Sequence, residues 1–149
     1  MKKVVGLFGT CGASKWREDV VIPILEKAGV AYFNPVVAEW NDEAQRNEVD
    51  HSANDQVVVM AITGETSGIA SMAELGWQVA TAESRGQSVV IFLEDMPNDL
   101  KDETGASLRI NKARALIRKY IQNHDSPKVV LASNLEEVAQ LAVKLMGAN

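Results

Sequence analysis

Residues 56–62 read QVVVMAI, and every residue after Gln56 is apolar. A strand with one solvent-facing side alternates apolar and polar residues, whereas this run is apolar on both faces. Strands of this kind lie in the centre of parallel sheets, where helices cover both faces. The segment therefore predicts a buried central strand in a fold of the α/β class.

Shorter apolar runs alternate with helical periodicities along the rest of the chain. Strands are predicted at residues 4–8, 30–33, 56–62, 88–93 and 128–131, and helices at residues 20–28, 43–53, 71–84, 108–123 and 134–146. Pro23 predicts a kink or a later start for the first helix. The alternation predicts a flavodoxin-like, doubly wound parallel sheet of order 2-1-3-4-5 in a three-layer α/β/α arrangement. Residues 1–149 are expected to form one domain, in which Glu94 to Ala106 is a polar loop.

Composition argues against several classes of function. A net charge of −5 argues against binding to nucleic-acid polymers, and the basic residues between Arg109 and Lys119 indicate a solvated helix face. The single Cys11 excludes an internal disulfide, and His51 and His124 have no metal-ligand spacing. No P-loop or dinucleotide motif occurs, so neither a metal nor another cofactor is predicted. Nothing resembles a membrane span or a secretory signal, and a cytoplasmic location is expected.

The strand order itself predicts where a ligand binds. Ligands of doubly wound sheets lie at the carboxyl ends of the strands, where the strand order reverses. In this order the reversal falls between the first and third strands. Residues 9–17, 34–40 and 63–74 follow the first three strands and are expected to surround one crevice.

The first of these segments has the features of a turn that binds a small ligand. Its glycines allow the backbone to approach a ligand, and Arg17 is expected in the first helical turn, where a phosphate or a sugar hydroxyl would bind. The alternative is a tight turn in which Ser14 caps the following helix. Cys11 is expected to be a small loop residue rather than a nucleophile.

The sequence Ser71-Met72-Ala73-Glu74 has two interpretations. In a capping box, Ser71 would cap a helix and Glu74 would bond back to the cap, and residues 133–136 repeat this pattern after the last strand. As a functional group, Glu74 would lie beside the switch point in a first helical turn, which favours an ionised carboxylate and hence a nucleophile. The position of Glu74 favours the functional interpretation, and the motif alone favours the cap.

One reaction that uses an ionised carboxylate is the cleavage of a glycosidic bond, in which the carboxylate lies below the anomeric carbon. The reaction also requires a proton source for the leaving group. Glu48, Asp50 and Asp55 lie just before or at the start of the third strand and are the candidates. The alternative is that the helix carrying Glu48 presents a solvated face. Trp16 and Trp40 fall in crevice segments and would stack on a planar base, or pack in the core or an interface.

Taken together, these segments resemble the nucleoside 2-deoxyribosyltransferase-like family over about residues 4 to 95. The residues that carry the resemblance are Gly9-Thr10-Cys11-Gly12, Ser14, Trp16-Arg17-Glu18, Tyr32-Phe33-Asn34-Pro35-Val36-Val37, Trp40, Glu48, Ala61-Ile62-Thr63, Ser67-Gly68 and Ser71-Met72-Ala73-Glu74-Leu75. The resemblance implies a flavodoxin-like fold and sites built at subunit contacts, and therefore a homo-oligomer, either a dimer or larger.

The resemblance also implies a reaction. In characterised members, a glutamate after the third strand attacks the anomeric carbon of a deoxyribonucleoside, and the covalent deoxyribosyl intermediate passes to another base or to water. That glutamate maps onto Glu74, and a sugar-binding carboxylate maps onto Glu48, with Asp50 next. The better-known transferases carry an aspartate near Gly68, where this chain has only Glu65. Related folds include nucleoside 5′-monophosphate N-glycosidases, which bind phosphate near the first loop.

Two functions follow as hypotheses. One is an N-glycosidic enzyme that acts on nucleosides or nucleotides through Glu74 and Glu48. The other is a non-catalytic nucleotide-binding or sensing module on the same fold. In both, the partner is a small nucleoside or nucleotide rather than a membrane or a nucleic-acid polymer. The residues expected to bind it are Gly9, Thr10, Cys11, Ser14, Arg17, Asn34, Trp40, Asp50, Ser67, Gly68 and Ser71.

Overall fold

The computed structural model describes residues 1–97 and 104–147. Its strands are β1 (Lys2–Gly9), β2 (Tyr32–Phe33), β3 (Asp55–Ile62), β4 (Ser88–Leu93) and β5 (Val129–Leu131). Its helices are α1 (Ile22–Lys27), α2 (Asp42–Asn54), α3 (Ile69–Arg85), α4 (Ala106–Gln122) and α5 (Leu135–Leu145), and a π-helical turn (Arg17–Val21) leads into α1.

The strands form one parallel sheet of order β2-β1-β3-β4-β5, which confirms the predicted topology. The central strand β3 pairs with β1 on one side and β4 on the other, and residues 57–62 are buried. These six residues have no solvent-facing side and need no polar partners beyond the sheet, which explains the unbroken apolar run in the sequence.

Helices cover both faces of the sheet and complete the three-layer architecture. Leu7 and Val59 point to the face covered by α1 and α5, where they share a core with Val138. Phe8 and Met60 point to the opposite face, whose core includes side chains of α3 and α4. Because successive residues of a strand point to opposite faces, the same strands supply both cores.

The first helical segment begins later than a Ser14 cap would require. The π-helical turn starts at Arg17, and no side chain caps it, so the predicted Ser14 cap is wrong. Trp16 and Arg17 both donate to the carbonyl oxygen of Thr10, and these bonds keep the preceding residues in the loop. Pro23 lies in the first turn of α1, which confirms the expected later start.

The two predicted capping boxes also differ from the structure. Helix α3 begins at Ile69 after a left-handed Gly68, without a side-chain cap, so Ser71 lies inside the helix and Glu74 in its second turn. In α5 the cap is Asn134, which accepts from the Glu137 amide. Both predictions were wrong: the loop that ends at Gly68 fixes the start of α3, and Asn134 rather than Ser133 caps α5.

The predicted polar loop between Glu94 and Ala106 is described only in part, because residues 98–103 lie outside the described residues. On its near side, the Met96 backbone exchanges two hydrogen bonds with the Asn111 side chain, at 2.8 and 2.9 Å. These bonds attach the first part of the segment to α4.

Candidate functional site

Strands β1 and β3 end side by side, and their following loops are joined by hydrogen bonds. The Thr10 amide donates to the Ala61 carbonyl at 2.8 Å, and the Thr63 amide donates to the Thr10 hydroxyl at 2.9 Å. Gly9 lies opposite Ala61 in the register. The switch point therefore brings the first and third predicted crevice segments together.

Two cavities open at this edge of the sheet, which is formed by the carboxyl ends of the strands. They share Phe8, Glu48 and Glu74. The first, here called the tryptophan cavity, has a volume of about 300 Å³ and is lined by Phe8, Trp40, Gln45, Glu48, Val49, Ser52, Met60, Glu74, Trp77 and Gln78. The second, the loop cavity, has a volume of about 230 Å³ and is lined by Phe8, Gly9, Thr10, Cys11, Arg17, Pro35, Glu48, Thr66, Ala70, Ser71 and Glu74. The two glutamates thus lie where the cavities meet.

The environment of both glutamates raises their pKa values. Burial raises the pKa of Glu48, the nearby Glu74 carboxylate raises it further, and Arg17 partly offsets the rise. Although solvent reaches Glu74, the surrounding protein removes part of its hydration and raises its pKa as well. The expected preference of Glu74 for the ionised form, based on a first-turn position, is therefore not supported. Perturbed carboxyl groups in a cleft are typical of functional sites.

Replacing Glu48 with Gln is expected to stabilise the unliganded protein at neutral pH. A carboxyl group whose pKa is higher in the folded than in the unfolded chain contributes stability below its unfolded pKa, and this contribution is lost as the pH rises through the folded pKa. An amide at residue 48 does not ionise, so Glu48→Gln does not lose this stability at neutral pH. We expect the melting temperature of the variant at pH 7 to exceed that of the wild type by about 1–3 °C.

Thermal melts at pH 7 and pH 4 test this expectation. The advantage of Glu48→Gln should shrink at the lower pH, where both chains carry a neutral group at residue 48. The exposed Glu83, on α3, provides the matched control, because Glu83→Gln makes the same change of charge outside both cavities. A Glu48→Gln protein no more stable than Glu83→Gln at pH 7 would contradict the assignment.

Arg17 lies in the wall of the loop cavity and is nearly inaccessible to solvent, at 1% exposure. Its Nε donates to the Leu7 carbonyl at 2.9 Å, and one terminal nitrogen donates to the Thr10 carbonyl at 2.7 Å. The guanidinium also stacks on Trp16, 4.2 Å from the ring centre. The other terminal nitrogen contacts Sγ of Cys11 at 3.8 Å, so every nitrogen of the guanidinium has a partner and Arg17 has a clear role in shaping the loop.

The tryptophans occupy different environments. Trp16 is buried in the core beneath the first loop, which settles the alternative in favour of core packing. Trp40 and Trp77 line the tryptophan cavity and are 61% and 52% exposed. Arg85 stacks on Trp77, with its guanidinium 4.3 Å from the ring centre. Both exposed rings are available to a planar ligand or to another protein surface.

The structure gathers most, but not all, of the predicted site residues around Glu74. Gly9, Thr10, Cys11, Arg17, Glu48 and Ser71 line the loop cavity with it, and Trp40 lines the tryptophan cavity. Ser14, Asn34, Asp50, Ser67 and Gly68 line neither cavity.

The residues outside the two cavities have other contacts. Asn34 accepts from the Val36 amide, and Asp50 pairs with Lys2. Ser14 borders a separate cleft near α5, and so does Glu65, which accepts from the Thr63 hydroxyl at 2.8 Å. Glu65 therefore lines neither cavity that contains Glu74.

Asp55, the remaining candidate carboxylate, is fully buried at the start of β3. It lies 2.9 Å from Nδ1 of His51, whose ring stacks on Phe33 at a centroid distance of 3.7 Å. Asp55 lines neither cavity, so it is not placed to act as the second carboxylate.

Several cavity residues were not predicted from the sequence. On α2, Gln45 and Ser52 lie three residues before and four after Glu48, and on α3, Gln78 lies four residues after Glu74; Ala70, four residues before Glu74, belongs to the predicted segment 63–74 but was not singled out. Helical spacing around the two glutamates would have identified these four residues. Phe8, Val49 and Met60 also line the cavities and were missed, whereas Pro35 and Thr66 belong to the predicted crevice segments.

One residue predicted to be solvated is buried. Arg109, Lys112 and Lys119 are exposed on α4, as predicted, but Arg114 has no accessible surface, so the predicted solvated face is wrong for that residue. Its guanidinium reaches the loop after β3, which no local pattern in α4 indicates.

Metal-binding clusters and membrane-spanning helices are both absent from the described residues, 1–97 and 104–147. No group of three or more His, Cys, Asp or Glu residues there could hold a metal ion. No helix in the same part of the chain has the length and apolar character needed to cross a membrane.

The fold and the site define a class of protein, a flavodoxin-like domain with paired carboxyl groups at its switch point. The chain belongs to the nucleoside 2-deoxyribosyltransferase-like family, whose model matches residues 2–96. The match spans β1 to β4 and includes every residue that lines the two cavities. A comparison with curated proteins finds no match.

Proposed function

We propose that this protein cleaves the N-glycosidic bond of a nucleoside or nucleotide, with Glu74 as the nucleophile. The observation that carries the proposal is that Glu48 and Glu74 both lie where an aromatic cavity meets the loop after β1. A glycosidic reaction needs two carboxyl groups close to the anomeric carbon, one ionised and one able to supply a proton. Membership of the family supports a nucleoside as substrate.

The electrostatics of the pair support different roles for the two glutamates. Two neighbouring carboxyl groups resist ionising together, so one proton is retained at a pH where an isolated glutamate has lost it. Burial raises the pKa of both carboxyl groups, and the Glu74 carboxylate adds to the rise at Glu48, where Arg17 partly offsets it. In the proposal, Glu48 is the protonated partner and Glu74 is the ionised one.

In the proposed reaction, a Glu74 carboxylate oxygen forms a bond to the anomeric carbon while the bond from that carbon to the base nitrogen breaks. The base leaves with the electron pair of the broken bond and receives the proton of Glu48. Attack by water, or by a nitrogen of a second base, then breaks the glycosyl ester and regenerates the Glu74 carboxylate. The incoming nucleophile returns its proton to Glu48, which balances the cycle.

The two cavities suit the two parts of such a substrate. Phe8, Trp40 and Trp77 give the tryptophan cavity aromatic walls on which a base would stack. The loop cavity offers Ser71, Thr10 and the backbone around Gly9 to a sugar. Small-molecule sites usually have volumes of roughly 300–1,000 Å³, so each cavity alone is at or below the lower end of that range and the pair together suits a nucleoside.

We also infer that a second copy of the chain covers the tryptophan cavity in solution. Trp40, Val49 and Trp77 are more than half exposed there, and α2 has no buried residue. Exposed apolar groups gathered around a site are typical of a protein interface. Sedimentation at micromolar concentration tests this, and a purely monomeric protein would contradict it.

The proposed activity is tested by incubating the protein with ribonucleosides, deoxyribonucleosides and their 5′-monophosphates, with and without a second free base. Release of free base without an acceptor indicates hydrolysis, and an exchanged nucleoside formed only with an acceptor indicates transfer. Either result supports the proposal. Tight binding by calorimetry without base release over several hours contradicts it and favours the non-catalytic nucleotide-binding module.

A further inference from the structure

Arg114, near the middle of α4, is fully buried, and its hydrogen-bond partners among residues 1–97 and 104–147 are backbone oxygens beyond the carboxyl ends of β3 and β4. One terminal nitrogen donates to the carbonyl groups of Glu94 and, at 3.3 Å, of Thr63. The other donates to the carbonyl groups of Thr66 at 2.7 Å and Ser67 at 3.1 Å. Three of the four acceptors belong to the loop between β3 and α3.

Burial of a guanidinium group without a carboxylate partner is costly, so its contacts need an explanation. The acceptors lie where β3 and β4 end, and carbonyl groups beyond the end of a strand have no ladder partner. A guanidinium presents several donors in one rigid plane and can bind carbonyl groups of different segments together. Arg114 thereby fixes the β3–α3 loop to the end of β4.

The same loop sets the position of the nucleophile. Gly68 ends the loop in a left-handed conformation, at φ 60°, and its carbonyl accepts from the Met72 amide at the start of α3. The Arg114 guanidinium lies 3.4 Å from where a Gly68 Cβ would be, so it also packs against this turn. Thr66 lines the loop cavity together with Glu74.

We propose that Arg114 is a positioning residue for Glu74, acting through the backbone of the β3–α3 loop. The inference rests on the proposed function, because it assigns Arg114 a part in the same reaction. Arg114 itself lines neither cavity and does not touch the substrate in this proposal. It also lies outside residues 2–96, the region matched by the family.

Arg118 provides a matched control one turn further along α4. It donates to the Leu93 carbonyl at 2.8 Å and to Asp95 at 2.7 Å, at the end of β4, and makes no bond to the β3–α3 loop. Arg118→Met therefore removes a guanidinium from the same helix without releasing the loop.

The test compares Arg114→Met, Arg114→Lys and Arg118→Met by base-release kinetics and by hydrogen exchange of the amides of residues 63–74. We expect Arg114→Met to lower kcat at least about tenfold with a change in KM below about threefold, because misplacement of a nucleophile affects the chemical step more than binding. The acid limb of kcat/KM should move to lower pH, since a displaced Glu74 regains hydration. Arg114→Lys should fall between Arg114→Met and the wild type.

Exchange in residues 63–74 should accelerate in Arg114→Met and not in Arg118→Met. If Arg114→Met does not fold, Arg114→Lys gives the same comparison. Wild-type kcat in the folded Arg114 variants, or unchanged exchange in the loop, overturns the inference. If the wild type itself releases no base, the proposed function fails, and the exchange measurement alone decides whether Arg114 holds the loop.

Discussion

Glu74→Gln is expected to lower kcat for base release by at least about 10²-fold, because an amide cannot form the glycosyl ester. The side chain keeps its size, and it loses a carboxyl group whose pKa is raised in the folded protein. The fold should therefore be retained. Initial rates of base release, measured beside a thermal melt, separate loss of chemistry from loss of structure.

Glu83→Gln is the control for this variant, because Glu83 is exposed on the same helix and lines neither cavity. It should have wild-type kinetics. In the wild type, activity should fall as the pH decreases through the raised pKa of Glu74, since the protonated acid cannot attack. A folded Glu74→Gln protein with wild-type turnover would exclude Glu74 as the nucleophile.

Gly9→Ala is expected to destabilise the fold by at least about 3 kcal/mol, which corresponds to a fall in Tm of roughly 8–12 °C. Gly9 has φ 120°, and a Cβ there would lie 2.0 Å from the carbonyl oxygen of Ala61 on the paired strand. That oxygen also accepts from the Thr10 amide. Neither backbone can move without disturbing the register of β1 and β3 at the site.

Gly12→Ala separates the clash from backbone strain alone. Gly12 also has a positive φ, 83°, but a Cβ there meets nothing within 4 Å. We expect a cost of about 1–2 kcal/mol for this variant, from the left-handed conformation. Chemical denaturation of both variants gives the comparison. Equal stabilities would show that close contact between β1 and β3 does not require a glycine at residue 9.

The sequence predicted which loops meet, because strand order alone determines this. Once β3 was identified as the central strand, the order 2-1-3-4-5 placed the loops after β1 and β3 together, and Glu74 follows the second of these. Glu48 was a candidate from the residues and from the family resemblance. Its proximity to Glu74 depends on how α2 packs beside α3, which the polar sequence of α2 does not indicate.

Local motifs were less reliable than topology. Ser14, Ser71 and Ser133 are all good N-cap residues, yet none of them caps a helix in the structure. The preceding loops decided the helix starts at Trp16 and Gly68, and the side-chain cap of Asn134 decided the third. A capping pattern is worth only about 1 kcal/mol, so a serine at the right spacing does not by itself fix where a helix begins.

The apolar and glycine pattern by itself predicted the parallel sheet, its strand order and the edge, formed by the carboxyl ends of the strands, at which a ligand would bind. The pattern is informative because a strand buried on both faces has a continuous apolar run. Only the tertiary structure decided which polar side chains belong to that edge. It buries Arg17 and Arg114 against backbone carbonyl groups and places Asp55 beside His51, away from the cavities. These contacts join residues distant in the sequence, or depend on where a loop folds back, and local periodicity carries no information about either.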